Sequence, residues 1–142
     1  MATEIHRSES LDETRRFGHA LAGRLAPGMV VALNGPLGAG KTTLVRSIAE
    51  GLGCVNAFVN SPTFVVIQEY DGPTPVFHID AYRLRDSDEF FEVGGEELLG
   101  AGGVCLIEWA ARIEDILPRD LVRIDIRPVG PDAREFQVSG LP

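Results

Sequence analysis

"MVVALNGPLGAGKTT", residues 29–43, decides the fold. Its first part, Met29–Leu33, is a short β-branched apolar run, as a buried strand should be. Its second part, "GPLGAGKT" at Gly35–Thr42, meets the pattern G-x-x-x-x-G-K-[ST] at every fixed position. "LVRSIAEGLG" comes next and reads as a helix that stops at Gly51 and Gly53. Strand, glycine loop and helix in that order make a phosphate cradle. Gly35, Gly38 and Gly40 let the backbone wrap a phosphate without a Cβ clash. Backbone N–H groups then gather at the positive end of the helix. Lys41 brings a full charge to the β- and γ-phosphates, and the Thr42 hydroxyl reaches a Mg²⁺ shared with phosphate oxygens. Pro36, Leu37, Ala39 and Thr43 complete the predicted cradle.

Lys41 is the single lysine of a chain with twelve arginines. An otherwise arginine-using sequence keeps lysine where a slim point charge must lie along the loop. The same count bears on the base. Guanine readers of this class use an N-K-x-D loop, and no second lysine exists to build one, so ATP is the expected nucleotide.

Outward from the loop, residues 10–25 read as an amphipathic helix. Ser10 and Glu13 form a capping-box pattern, and Leu11, Phe17, Leu21 and Leu25 form an apolar face. "SPTFVVIQEY" and "TPVFHIDAYR" are two strand candidates joined by the turn-rich "DGPTP", so a hairpin is expected. "DSDEFFEVGGEELL" reads as two short helices and a solvated acidic face, "GVCLIEW" as a buried strand, and "AARIEDILP" as a short helix ended by Pro118. "LVRIDIRPV" and "REFQVSG" form a second hairpin through "GPDA". This order predicts an α/β fold: a single P-loop NTPase domain over residues 1–142. Its sheet mixes parallel and antiparallel strands, helices flank it, and a β-hairpin closes the C-terminal part.

Composition narrows the function. The chain has 142 residues, 44% of them hydrophobic and 24% charged, as in a soluble globular protein. Its net charge of −8 argues against a strong direct grip on nucleic acid. No apolar run reaches membrane-spanning length, and the first ten residues lack a signal-peptide pattern, so a cytoplasmic protein is expected. Cys54 and Cys105 form no metal pattern, and Cys105 reads as core.

Two strand-like runs end in a carboxylate, "VFHID" in Asp80 and "VCLIE" in Glu108. Magnesium at a phosphate loop is usually completed by an acid at the end of a neighbouring buried strand. "VCLIE" is continuously apolar and reads as covered on both faces, which assigns Glu108 to the metal. "VFHID" carries His78 and reads as half-exposed. Asp80 is then closer to the surface, free to position the attacking water or a switch loop. His78 itself reads as a packed or hydrogen-bonded strand histidine.

Four motifs fall in one order: "GPLGAGKTT" (35–43), "SPTF" (61–64), "HIDAYRL" (78–84) and "IEW" (107–109). Together they resemble the TsaE (YjeE) family, small ATPases needed to make threonylcarbamoyladenosine in tRNA. The resemblance covers nearly the whole chain, including Thr14 and Gly18 in the first helix. It implies that Lys41 and Thr42 serve phosphates and magnesium and that Glu108 completes the metal shell. It makes Asp80 the essential acid near the γ-phosphate. Ser61–Phe64 would be a switch segment, with Thr63 as phosphate sensor, and Trp109 matches the tryptophan after the acid. It places the adenine side between Leu11 and Thr14 on one hand and Ala133 and Arg134 on the other. Ala110 and Ala111 stand where relatives tend to carry a proline and polar or acidic residues. The partners implied are TsaD and TsaB, reset between rounds by ATP hydrolysis that is weak without them. A small-molecule kinase and a nucleotide-binding module without turnover are the competing readings. The stretch after "IEW" is too short for a kinase lid.

Overall fold

A computed structural model describes residues 3–36, 40–59, 66–82 and 84–142; of 56–59 and 66 it describes the backbone. The strand read from "MVVAL" is Val30–Asn34 (β2), and its Val31 and Ala32 are wholly buried. The helix after the glycine loop is Lys41–Gly51 (α2). The first helix is Leu11–Ala22 (α1), capped as its sequence predicts: the Ser10 hydroxyl accepts the Glu13 amide at 3.1 Å. The predicted hairpin is Val66–Asp71 (β4) with Val76–Asp80 (β5), and the C-terminal hairpin is Val122–Pro128 (β7) with Arg134–Ser139 (β8). Ser87–Glu92 (α3) and Gly95–Leu99 (α4) are the two short helices, and Val104–Glu108 (β6) is the buried strand.

Two strands escaped the sequence reading, Glu4–Ser8 (β1) and Asn56–Val59 (β3). They form the two edges of one eight-stranded sheet, ordered β1-β8-β7-β2-β6-β5-β4-β3. The centre is parallel, β7 and β6 flanking β2 and β5 flanking β6. Both wings are antiparallel. The mixed α/β sheet with its C-terminal hairpin is thus as expected. The expected short helix after β6 is Ala110–Ile116, of 3₁₀ form and kinked at Ile113.

Alternation along the strands gives the sheet two cores. One face buries Val31, Leu33, Val104 and Leu106 beneath Leu21 of α1 and Leu44 and Ile48 of α2. The other buries Ala32, Ile79 and Ile107 against Phe90 and Ile113. Strand β5 contributes to both, with Val76 on the first face and Phe77 and Ile79 on the second. This corrects the reading of "VFHID" as half-exposed. It is an interior strand, and its histidine marks a polar contact inside the fold.

Helices α1 and α2 pack closely because glycine stands at their contact. A Cβ on Gly18 would come within 2.4 Å of Ser47 Cβ, and one on Gly51 within 2.6 Å of Ala22 Cβ. That approach sets α2 on the sheet and aims its first turn at the ends of β2, β5 and β6.

Candidate active site

Parallel strands β2, β6 and β5 end side by side, with Leu33 opposite Glu108 and Glu108 opposite Asp80. Strand β7 runs the same way, so its hairpin brings Arg134, the first residue of β8, to this end of the sheet. Strand β1, antiparallel to β8, also points there and delivers Leu11 at the start of α1. Ligands of open α/β sheets bind outside the carboxyl ends of the strands. A cavity of about 860 Å³ lies here, walled by Gly40, Lys41, Thr42 and Thr43, by Asp80 and Tyr82, by Glu108 and Trp109, and by Leu11 and Arg134.

The first turn of α2 faces this space. Gly40 holds φ 97°, a left-handed turn that aims the helix start at the cavity. No acidic residue occupies the first turn of α2. Its leading N–H groups therefore remain positive-end donors for an anion. Lys41 Nζ donates to the Gly35 carbonyl at 2.9 Å and lies 3.0 Å from Glu108 Oε1. Glu108 Oε2 accepts from His78 Nε2 at 2.6 Å. The Glu108 side chain is 14% exposed and His78 12%. The His78 hydrogen bond, helped by Lys41 and opposed by burial, holds the Glu108 carboxyl below its ordinary range. Glu108 therefore stays ionised, held by the Lys41 ammonium on one oxygen and the His78 N–H on the other.

Asp80 is the neighbour of Glu108 across the ladder, and its Oδ1 accepts the Tyr82 amide at 3.0 Å. Tyr82 and Trp109 pair with ring centroids 4.8 Å apart. Trp109 is the single non-glycine residue with positive φ among the described residues, at 60°. The conformation turns the chain sharply after Glu108 and leaves the indole 47% exposed on the cavity wall.

The donor set fits magnesium. The Thr42 hydroxyl and the Glu108 carboxylate, two hard oxygen donors, share one cavity. Mg²⁺ characteristically takes one or two protein oxygens and fills its octahedron with phosphate oxygens and water.

Residues 8–136 match the family described as "Threonylcarbamoyl adenosine biosynthesis protein TsaE". The tRNA threonylcarbamoyladenosine biosynthesis protein TsaE of Bacillus subtilis is 45% identical over 136 residues, 95% of this chain and 84% of its own. The protein of the same name from Treponema pallidum is 39% identical over 132 residues, 93% of this chain and 97% of its own. The chain belongs to the TsaE family. The crystal structure of Bacillus subtilis YdiB superposes with a TM-score of 0.81 at 35% identity, covering 99% of this TsaE-family chain and 87% of that one.

Within this TsaE-family fold, the residues singled out by sequence divide into three groups. Leu11, Gly40, Lys41, Thr42, Thr43, Asp80, Glu108 and Arg134 come together at the cavity, and Gly35 reaches it through its carbonyl on Lys41. Pro36 adjoins Gly35 and is exposed. Thr14 and Ala133 are not among the residues that line the cavity. Thr14 is 3% exposed, its hydroxyl 2.7 Å from Ser8 Oγ, so it ties β1 to α1. Ala133 is buried in the hairpin, its carbonyl accepting the Val129 amide at 3.0 Å. Each sits beside the residue that does line the cavity. Leu11 was also expected on the apolar face of α1, yet it is 62% exposed and forms the cavity mouth. Leu37, Gly38, Ala39 and Thr63, with the rest of "SPTF", lie outside the described residues. The sequence reading missed Tyr82, although its place two residues after Asp80 in "HIDAYR" was the available signal.

Proposed function

We propose that this chain is a magnesium-dependent ATPase that serves threonylcarbamoyladenosine modification of tRNA, binding and resetting the TsaD–TsaB transferase in the cytoplasm. The observation that carries the ATPase reading is the meeting of the α2 N-terminus, Lys41, Thr42, Asp80 and Glu108 in one cavity. The family names of the relatives support the tRNA pathway.

In this reading the first-turn N–H groups of α2 and Lys41 Nζ bind the β- and γ-phosphates of ATP. Thr42 and Glu108 would hold magnesium, whose charge would offset that of the phosphates. Asp80 orients a water at the γ-phosphate and accepts its proton at a carboxylate oxygen. Thr63 senses that phosphate from the segment leading into β4. Leu11 and Arg134 border the adenine side.

The deciding experiment is the rate of phosphate release by the purified chain alone, with TsaD and TsaB, and with both proteins and tRNA. Slow hydrolysis alone and faster hydrolysis with the partners is expected. Phosphorylation of an added metabolite in step with ATP consumption would establish a kinase and overturn the reading. Nucleotide binding with no turnover under any condition would leave a docking module.

A further inference from the structure

Glu108 is gripped from two sides, one oxygen each. Oε1 lies 3.0 Å from Lys41 Nζ, and Oε2 accepts from His78 Nε2 at 2.6 Å. The carboxylate can only accept, so Nε2 carries the proton. The other ring nitrogen, Nδ1, lies 3.5 Å from Oε1 of Gln68, its direct partner across the β4–β5 ladder. The Tyr70 hydroxyl donates to the same Gln68 oxygen at 3.4 Å. A line of polar side chains thus crosses the sheet from β4 through β5 to β6, beside buried neighbours Val76 and Leu106. Such a line in an apolar strand interior needs a reason, because each member loses hydration on burial.

The two grips are not equivalent. Lys41 belongs to the phosphate loop, and phosphates compete with Glu108 for its charge. His78 belongs to an interior strand and its ring is nearly buried. We infer that His78 is a positioning residue for magnesium: it fixes the Glu108 carboxylate at the cavity whichever partner Lys41 takes. The inference rests on the reading of Glu108 as the metal-side acid and goes beyond it by naming what orients that acid. Partners of this kind behind a metal-side group typically control metal affinity by 10–100-fold.

The test separates the metal from the nucleotide. ATP affinity is measured by calorimetry in EDTA and then across a Mg²⁺ titration, for wild type, His78→Leu, His78→Gln and Glu108→Gln. His78→Leu is expected to keep the EDTA affinity within about twofold and to raise the Mg²⁺ midpoint by about tenfold. His78→Gln, whose amide nitrogen reaches about as far as Nε2, restores most of the midpoint. A residue that merely packs would shift both affinities together or neither. Should His78→Leu fail to fold, His78→Asn decides, since it keeps a polar group opposite Gln68 without reaching Glu108. An unchanged Mg²⁺ midpoint in the His78 variants beside a shifted one in Glu108→Gln overturns the inference and leaves the ATPase reading standing. An unchanged midpoint in Glu108→Gln overturns the metal role of Glu108 and the inference with it.

Discussion

At the scale of single residues, Lys41 and Asp80 face one cavity and are expected to fail differently. Lys41→Ala removes a charge-assisted donor worth ~1.5–3 kcal/mol, so ATP affinity should fall by roughly 10–100-fold. Asp80→Asn keeps the shape and the Tyr82 amide contact. ATP binding should stay within about threefold while hydrolysis drops by about 100-fold or more. Calorimetry and phosphate release read the two effects, and normal hydrolysis by Asp80→Asn would remove its assigned role. Residue identity was legible where chemistry restricts it: "GKT" and the two strand-end acids came straight from pattern. It was illegible where a side chain's direction decides. Leu11 and Thr14 are one helical turn apart, yet one opens on the cavity and the other is tied to Ser8. His78 is hydrogen-bonded, as expected of it, but the half-exposure inferred for its strand was wrong for a related reason. A polar residue inside an apolar run usually marks a solvent face, and here it marks an inward hydrogen bond to Glu108.

At the scale of elements, the contact of α1 with α2 should tolerate no side chain at Gly18. Alanine there gains ~1 kcal/mol of helix propensity but meets Ser47 Cβ at 2.4 Å. Overpacking wins, and urea unfolding of Gly18→Ala should show a net loss of about 1–3 kcal/mol. Gly23→Ala is the contrast. Gly23 has φ −66° and its nearest non-neighbouring atom is 3.5 Å away, so neutral or slightly raised stability is expected. Strand β1 is held to the end of α1 by Glu4, whose two oxygens accept from Arg24 at 2.8 and 2.7 Å. Chiefly through Arg24 and secondarily through His6, the Glu4 carboxyl is lowered from 4.5 to about 2. A depressed acid stabilises the fold above its unfolded value and loses that contribution as pH falls towards the folded one. The melting-temperature gap between wild type and Glu4→Gln should therefore close between pH 4.5 and about 2, and shrink in salt. The edges β1 and β3 were missed because an edge strand carries a weak pattern. In "EIHRS" the exposed Ile5 and the charged Glu4 and Arg7 hide the alternation, and β8 supplies its register. The central strands were legible because burial on both faces writes a continuous apolar run.

At the scale of the whole molecule, a net charge of −8 sits on a chain whose family works on a tRNA pathway. Alone, the chain should not shift tRNA in a gel at physiological salt, because few cations are available to release counterions from phosphate. A shift that appears only with the partner proteins is the expected outcome. The sheet order brings both ends of the chain to the same cavity: α1 enters through Leu11, the last hairpin through Arg134, and the central strands through Asp80 and Glu108. The sharp left-handed turn at Trp109 adds an optical consequence. It sets the sole indole of the chain half-exposed on that wall and against the Tyr82 ring. Ultraviolet emission from the native protein is therefore a single-site signal. Filling the cavity should shift or quench it without any label, and Tyr82→Leu should alter its intensity before any ligand is added.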